Sequence, residues 1–144
     1  MTFQAAVRAA CITTLEAHAT AQSVKLQTYP GRPRSLYPPS AFVDVLRETI
    51  VYLGPISKQR TVQADVVLIW GSFDGNDTVA QKDAFVDGFI EYVATSGIHA
   101  AGANTTLGVV ASEDDPTFVP DWVPLSEQRT YYVTRITLEG FAGE

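Results

Sequence analysis

Apolar residues recur along this chain with two different periods, and each change of period marks an element boundary. Phe3, Val7, Cys11 and Leu15 repeat every four residues with Ile12 beside them, which predicts a helix from about Thr2 to Thr20. Its alanines, Ala5, Ala6, Ala9, Ala10, Ala17 and Ala19, favour helix and let it lie close to a partner surface. The period then shortens to two. Ser23–Tyr29 reads as a short strand, and Ala41–Gly54 as a longer one. Apolar residues fall on both sides of that second stretch, as expected of a central strand or of one with a face covered by another subunit. In Thr61–Trp70 the residues Val62, Ala64, Val66, Leu68 and Trp70 alternate onto one face, and Val67 and Ile69 break the alternation at its end. The short link "GPISKQR" predicts an antiparallel pair. A helical period returns from about Thr78 to Ser96 through Val79, Val86, Ile90 and Val93, with Phe89 adjoining and Gly97 as the stop. A short strand "TLGVVA" and a strong closing strand, Arg129–Phe141, complete the pattern.

Two proline-rich stretches interrupt the periodicity: "PGRPRSLYPPS" at 30–40 and "SEDDPTFVPDWVPLSEQ" at 112–128. Proline removes a backbone donor and fixes φ, so both are expected to be long loops. Ordered loops of that length are usually functional or interfacial. The element order is therefore α-β-β-β-α-β-β. It predicts a single α+β domain over residues 1–144, a mostly antiparallel β-sheet with two main helices packed on one face.

Composition narrows the function classes. Apolar residues make up 46% of the 144 residues and charged residues 18%, which excludes disorder as the main state. So little charge leaves much neutral surface to cover and points to an oligomer. A net charge of -6 disfavours a grip on nucleic acid. The single cysteine, Cys11, excludes an internal disulfide and any multi-cysteine metal site, and it reads as a small buried hydrophobe. The opening residues lack the basic leader and unbroken apolar run of a secretory signal, and no stretch approaches the length of a membrane span. The sequons at Asn76 and Asn104 are accordingly read as chance.

Candidate chemistry is sparse. The order strand, glycine loop, helix over Ala64–Val93 is how nucleotide sites begin, but the loop "GSFDGND", Gly71–Asp77, matches neither glycine fingerprint. Asp74 and Asp77 would repel a bound anion. Turn glycines and a capping box from Thr78 to Gln81 explain the same residues. His18 and His99 stand in no metal-ligand pattern, and both are expected at the surface. Glu113, Asp114 and Asp115 read as a solvated acidic loop or as the rim of a DNA passage. Arg32 and Arg34 suit interface ion pairs, or are exposed arginines contributing little. Phe118 and Trp122 fit interface anchors, packing of the loop onto its own sheet, or stacking on a ligand, and Tyr37 is a further interface candidate. No catalytic, cofactor or metal constellation emerges.

Four segments together resemble a known family. They are "FQAAVRAACITTLEAHA", "FVDVLRETIVYLGPISKQRTVQADVVLIWG", "KDAFVDGFIEYVATS" and "RTYYVTRITLEGF". In length, element order and texture the chain resembles the tail terminator (tail completion) proteins of long-tailed bacteriophages. That resemblance implies a non-enzymatic virion protein of the tail or neck, assembled in the host cytoplasm. It implies a ring, typically a hexamer, at the head-proximal end of the tail tube. The ring would end tube polymerisation, dock to the head connector and pass DNA through its channel without holding it. No residue role carries over, since the family has no short motif to match. Another neck or tail component, a small ligand-binding domain using the Trp122 loop, and a small hydrolase are the alternatives.

Overall fold

The computed structural model describes residues 2–35, 37–72, 76–100 and 105–143. Helix α1 (Phe3–Ala21) starts at Thr2, whose extended backbone leaves its hydroxyl free to accept from the Ala5 N–H at 3.1 Å. The predicted stripe is its buried face, with Val7, Cys11 and Leu15 fully enclosed. Strand β1 (Gln27–Tyr29) is shorter than the period suggested. The preceding residues close the helix instead: Ser23 takes φ 58° and the Val24 N–H bonds back to the Ala19 carbonyl.

Strands β2 (Ser40–Tyr52) and β3 (Lys58–Ser72) form the expected antiparallel hairpin. Helix α2 (Asn76–Ser96) begins two residues before the expected cap, so Thr78 lies inside the helix and does not start it. Residues 73–75 of the glycine loop before it fall outside the described residues. Gly97 ends the helix as predicted, with φ +71° and its N–H on the Val93 carbonyl at 2.8 Å. A three-residue strand that the pattern did not signal, β4 (Ile98–Ala100), follows at once.

Strand β5 (Thr105–Phe118) overturns one expectation. Residues 112–118 are strand, not loop, because β6 (Tyr131–Gly143) continues alongside them and pairs Glu113 with Arg135, Asp114 with Thr134 and Asp115 with Val133. The register shifts between Asp115 and Phe118, a bulge that accommodates Pro116 without a ladder N–H. The remaining connection, 119–130, contains a short 3₁₀ turn at Leu125–Glu127.

The six strands run in the order β1-β2-β3-β6-β5-β4, with only β1 and β2 parallel. The fold is thus α+β, and the helices share one sheet face. Val7, Cys11 and Leu15 of α1 and Phe85, Phe89 and Val93 of α2 meet Val62, Ala64, Val66, Leu68 and Trp70 of β3 there. The opposite face carries a second, smaller core of Phe42, Val67, Ile69, Tyr131 and Val133. It explains why the alternation of β3 fails at Val67 and Ile69, since that end is covered on both sides.

Candidate functional site

The residue types that could do chemistry are placed apart. His18 is buried between the helices, where the alternating stripe of α1 meets α2. Its Nε2 lies 3.0 Å from the Phe85 carbonyl, and its ring stands edge-on to Phe85 and Phe89. Gly88 makes that approach possible, because a Cβ there would sit 3.0 Å from His18 Cε1. The surface position expected for His18 is therefore corrected. His99 is exposed and bridges the Ser96 carbonyl and the Thr106 hydroxyl beyond the end of α2. Burial pushes the Cys11 thiol up to about 12, with Arg8 pulling weakly the other way, so it stays protonated and unreactive near neutrality. Among the described residues no group of three His, Cys, Asp or Glu could hold a metal ion, and no helix is long and apolar enough to cross a membrane.

Strand alternation splits the acidic trio. Asp114 turns to the helix side, where its carboxylate accepts from Thr134 Oγ1 at 3.0 Å, Lys82 Nζ at 2.9 Å and Tyr132 OH at 3.4 Å. Thr134 in turn accepts from the Trp70 indole at 3.1 Å. Lys82 is itself buried, also pairs with Asp83, and lies 5.6 Å from the Tyr132 ring centroid. Partial burial works against both charges. The Lys82 and Thr134 hydrogen bonds outweigh it at Asp114 and hold its carboxyl below the usual range, while the two carboxylates raise Lys82. Asp114 therefore pins β5 to α2 and is no solvated loop acid. Glu113 and Asp115 alternate to the other face, and Asp115 caps its own turn by accepting from the Thr117 N–H and hydroxyl. The three acids do not form one rim.

The two expected loop anchors meet each other on the second sheet face. A bulge between Val43 and Val45 presents Asp44 there. Its carboxylate accepts from Arg32 Nε at 2.6 Å and from Arg135 Nη1 at 3.1 Å, and Arg135 reaches Asp65 at 3.7 Å. Arg32 also lies over the Trp122 ring, 4.7 Å from its centroid. The Trp122 indole donates to the Pro33 carbonyl at 2.9 Å and sets its edge against Phe42, with Phe118 alongside. Within the chain Trp122 and Phe118 thus pack on their own sheet. Arg34 and Tyr37 are exposed.

Burial alone would raise the Asp44 carboxyl, but hydrogen bonds from Arg32 and Arg135 prevail and depress it. A depressed carboxyl contributes stability that is complete above its unfolded value of about 4 and is lost as pH falls through the folded one. Arg32 is half exposed, so solvent screening limits the contribution to about 1 kcal/mol. We expect the Trp122 indole N–H resonance to move on acidification below pH of about 4. Asp44→Asn should produce the same displacement at neutral pH and remove the acid step. An unchanged acid titration in that variant would assign the step to another group.

The most exposed apolar surface lies where the periodicity was least decisive. Ile50, Val51, Tyr52, Leu53 and Ile56 crowd the free end of the β2–β3 hairpin, with Ile56 95% exposed and Tyr52 72%. The sequence marked this stretch by its two-sided apolar pattern. Both sheet margins are also incomplete. Strand β1 pairs only with Ser40–Phe42, leaving the outer edge of β2 from Val43 to Tyr52 without a strand among the described residues. Strand β4 pairs only with Thr105–Leu107, leaving β5 from Gly108 onward without an outer strand among the described residues. Beside that second edge an apolar groove of about 370 Å³ runs between β5 and the last turns of α2, lined by Ile90, Val93, Ala94, Leu107 and Val109. By sequence, no family model and no curated protein matches the chain.

Proposed function

We propose that the protein is a non-enzymatic subunit of a phage particle, a tail terminator. Copies form a ring at the head-proximal end of the tail tube, end its polymerisation and dock to the head connector. DNA passes through the channel without tight binding, in keeping with a net charge of -6. The observation that carries this reading is the exposed apolar hairpin end together with two open strand edges. An unpaired strand edge is a ready template for another chain, and exposed apolar side chains gathered at one end mark an interaction site. The two edges differ in sequence, as a head-to-tail contact that closes by rotation requires. Dispersal of the histidines and acids into structural pairings supports a building role over catalysis.

Replacing Leu53 and Ile56 together by aspartate tests it. Both side chains are largely exposed, so the melting temperature should stay within about 2 °C, as for surface substitutions generally. Assembly, read by native mass spectrometry with and without purified tail tubes, should weaken at least tenfold. A wild-type protein that stays monomeric at tens of micromolar and also fails to cap tubes would end the proposal. The same surfaces would serve another joining protein of the neck, which would bind the ring of its neighbour without halting tube growth.

A further inference from the structure

We infer that the hairpin end of one copy seats in the groove between α2 and β5 of the next copy. This rests on the self-assembly reading above and names the two surfaces that meet. Within a chain these surfaces belong to opposite sides of the sheet, since β2 and β5 are separated by β3 and β6. A hairpin therefore fills the groove of another copy. The chemistry matches on three counts. First, the hairpin end is apolar and exposed, and the groove is apolar too: half-buried Ile90 and Val109 and exposed Ala94 stand over buried Val93 and Leu107, and a Cβ on Gly108 would meet nothing within 4 Å.

Charge supplies the second match. The hairpin arm carries Arg47, which is exposed, and Lys58; its other basic group, Arg60, pairs with Glu48 at 3.6 Å within the chain and adds nothing to the match. The exposed face of α2 carries Asp83, Asp87 and Glu91 at four-residue spacing, one line along the helix beside Ile90 and Ala94 of the groove. Contact of two hairpins would bring basic groups together, and contact of two grooves would bring acids together. Only hairpin to groove joins opposite signs, which makes the contact head-to-tail. Third, the backbone wall of the groove is selective along its length. Farther on, β5 carries Glu113, Asp114, Asp115 and Pro116, the residue types that deter strand pairing. The open stretch at Gly108–Ala111, next to the groove, has no such guard.

Disulfide trapping tests the contact. The native thiol of Cys11 is buried and stays silent. Leu53→Cys and Ala94→Cys, each at an exposed position, are purified separately, mixed and mildly oxidised. We expect cross-linked dimer in the mixture at least tenfold above either protein alone, and a ladder of multimers from the double variant. Dimers from Leu53→Cys alone at the same rate would overturn the head-to-tail assignment. A ring seen by native mass spectrometry with no mixed disulfide would overturn this contact and leave the ring reading standing. A protein monomeric under all conditions would remove both. As a second measurement, Asp87→Lys should weaken assembly of the intact fold and Arg47→Glu in its partner should restore it; failure of rescue counts against the pairing.

Discussion

Gly140→Val should leave a protein that melts at least 6 °C below the parent. Gly140 stands on β6, the strand flanked by both β3 and β5, opposite Val62 and Leu107. A Cβ built there would lie 2.5 Å from the Thr106 carbonyl oxygen and 3.2 Å from Leu107 Cγ. The first of these neighbours is backbone inside a ladder and cannot turn aside. Overpacking typically costs about 1–3 kcal/mol, and a clash with fixed backbone puts this one at the upper end; each kcal/mol lowers the melting temperature by roughly 2–4 °C in a chain of this size. Gly108→Val is the control: it lies on the adjoining strand, but its Cβ would meet open space, so the loss should stay below about 1 kcal/mol. Thermal melts followed by circular dichroism separate the two. Equal melting temperatures for both variants would mean the sheet yields where the geometry says it does not.

Trp122→Ala should cost about 2–4 kcal/mol, below or near the range for a fully enclosed tryptophan because this one is half-buried. Its removal takes away the edge contact with Phe42, the stacking of Arg32 and the hydrogen bond to Pro33 at once. Phe42, Val67, Ile69, Tyr131 and Val133 then lose their cover. Trp122→Phe keeps the ring packing but drops the donor, and should recover about half of the loss. Urea unfolding of the three proteins is the measurement. Full stability in Trp122→Ala combined with loss of assembly would instead make this side chain an anchor between copies, the other role its sequence context allows.

How much of this was legible depends on what each residue answers to. The two long helices and five of the strands, all but β4, follow from local period, because a buried stripe constrains its own sequence. The end of β5 was not legible. Its acids and Pro116 obey loop chemistry locally, and only the register against β6, set far along the chain, makes them strand. Asp114 shows the same limit, since its partners Lys82 and Thr134 are 32 and 20 residues away. His18 read as a surface residue because nothing near it announces that α2 will cross there; Gly88 was the available hint. The break of alternation at Val67 and Ile69 was a true sign of a second core, but it did not say that the Trp122 segment supplies its cover. The hairpin end was visible as apolar residues on both faces, and the sequence alone left open whether the covering came from within or outside the chain.

The placement of β6 bears on how the molecule is made. It is synthesised after the other five strands, yet it lies between β3 and β5. Until it emerges from the ribosome, the sheet stays in two parts, β1–β3 and β4–β5, joined through the helices where α1 meets α2 at His18. Each part then shows a long raw margin on its inner side, at β3 and at β5. The sheet cannot close until β6 is made, so nascent chains on neighbouring ribosomes are a hazard to one another until β6 slots in. Slow codons ahead of residue 131 would lengthen that interval, and a chaperone that shields strands would matter most during it.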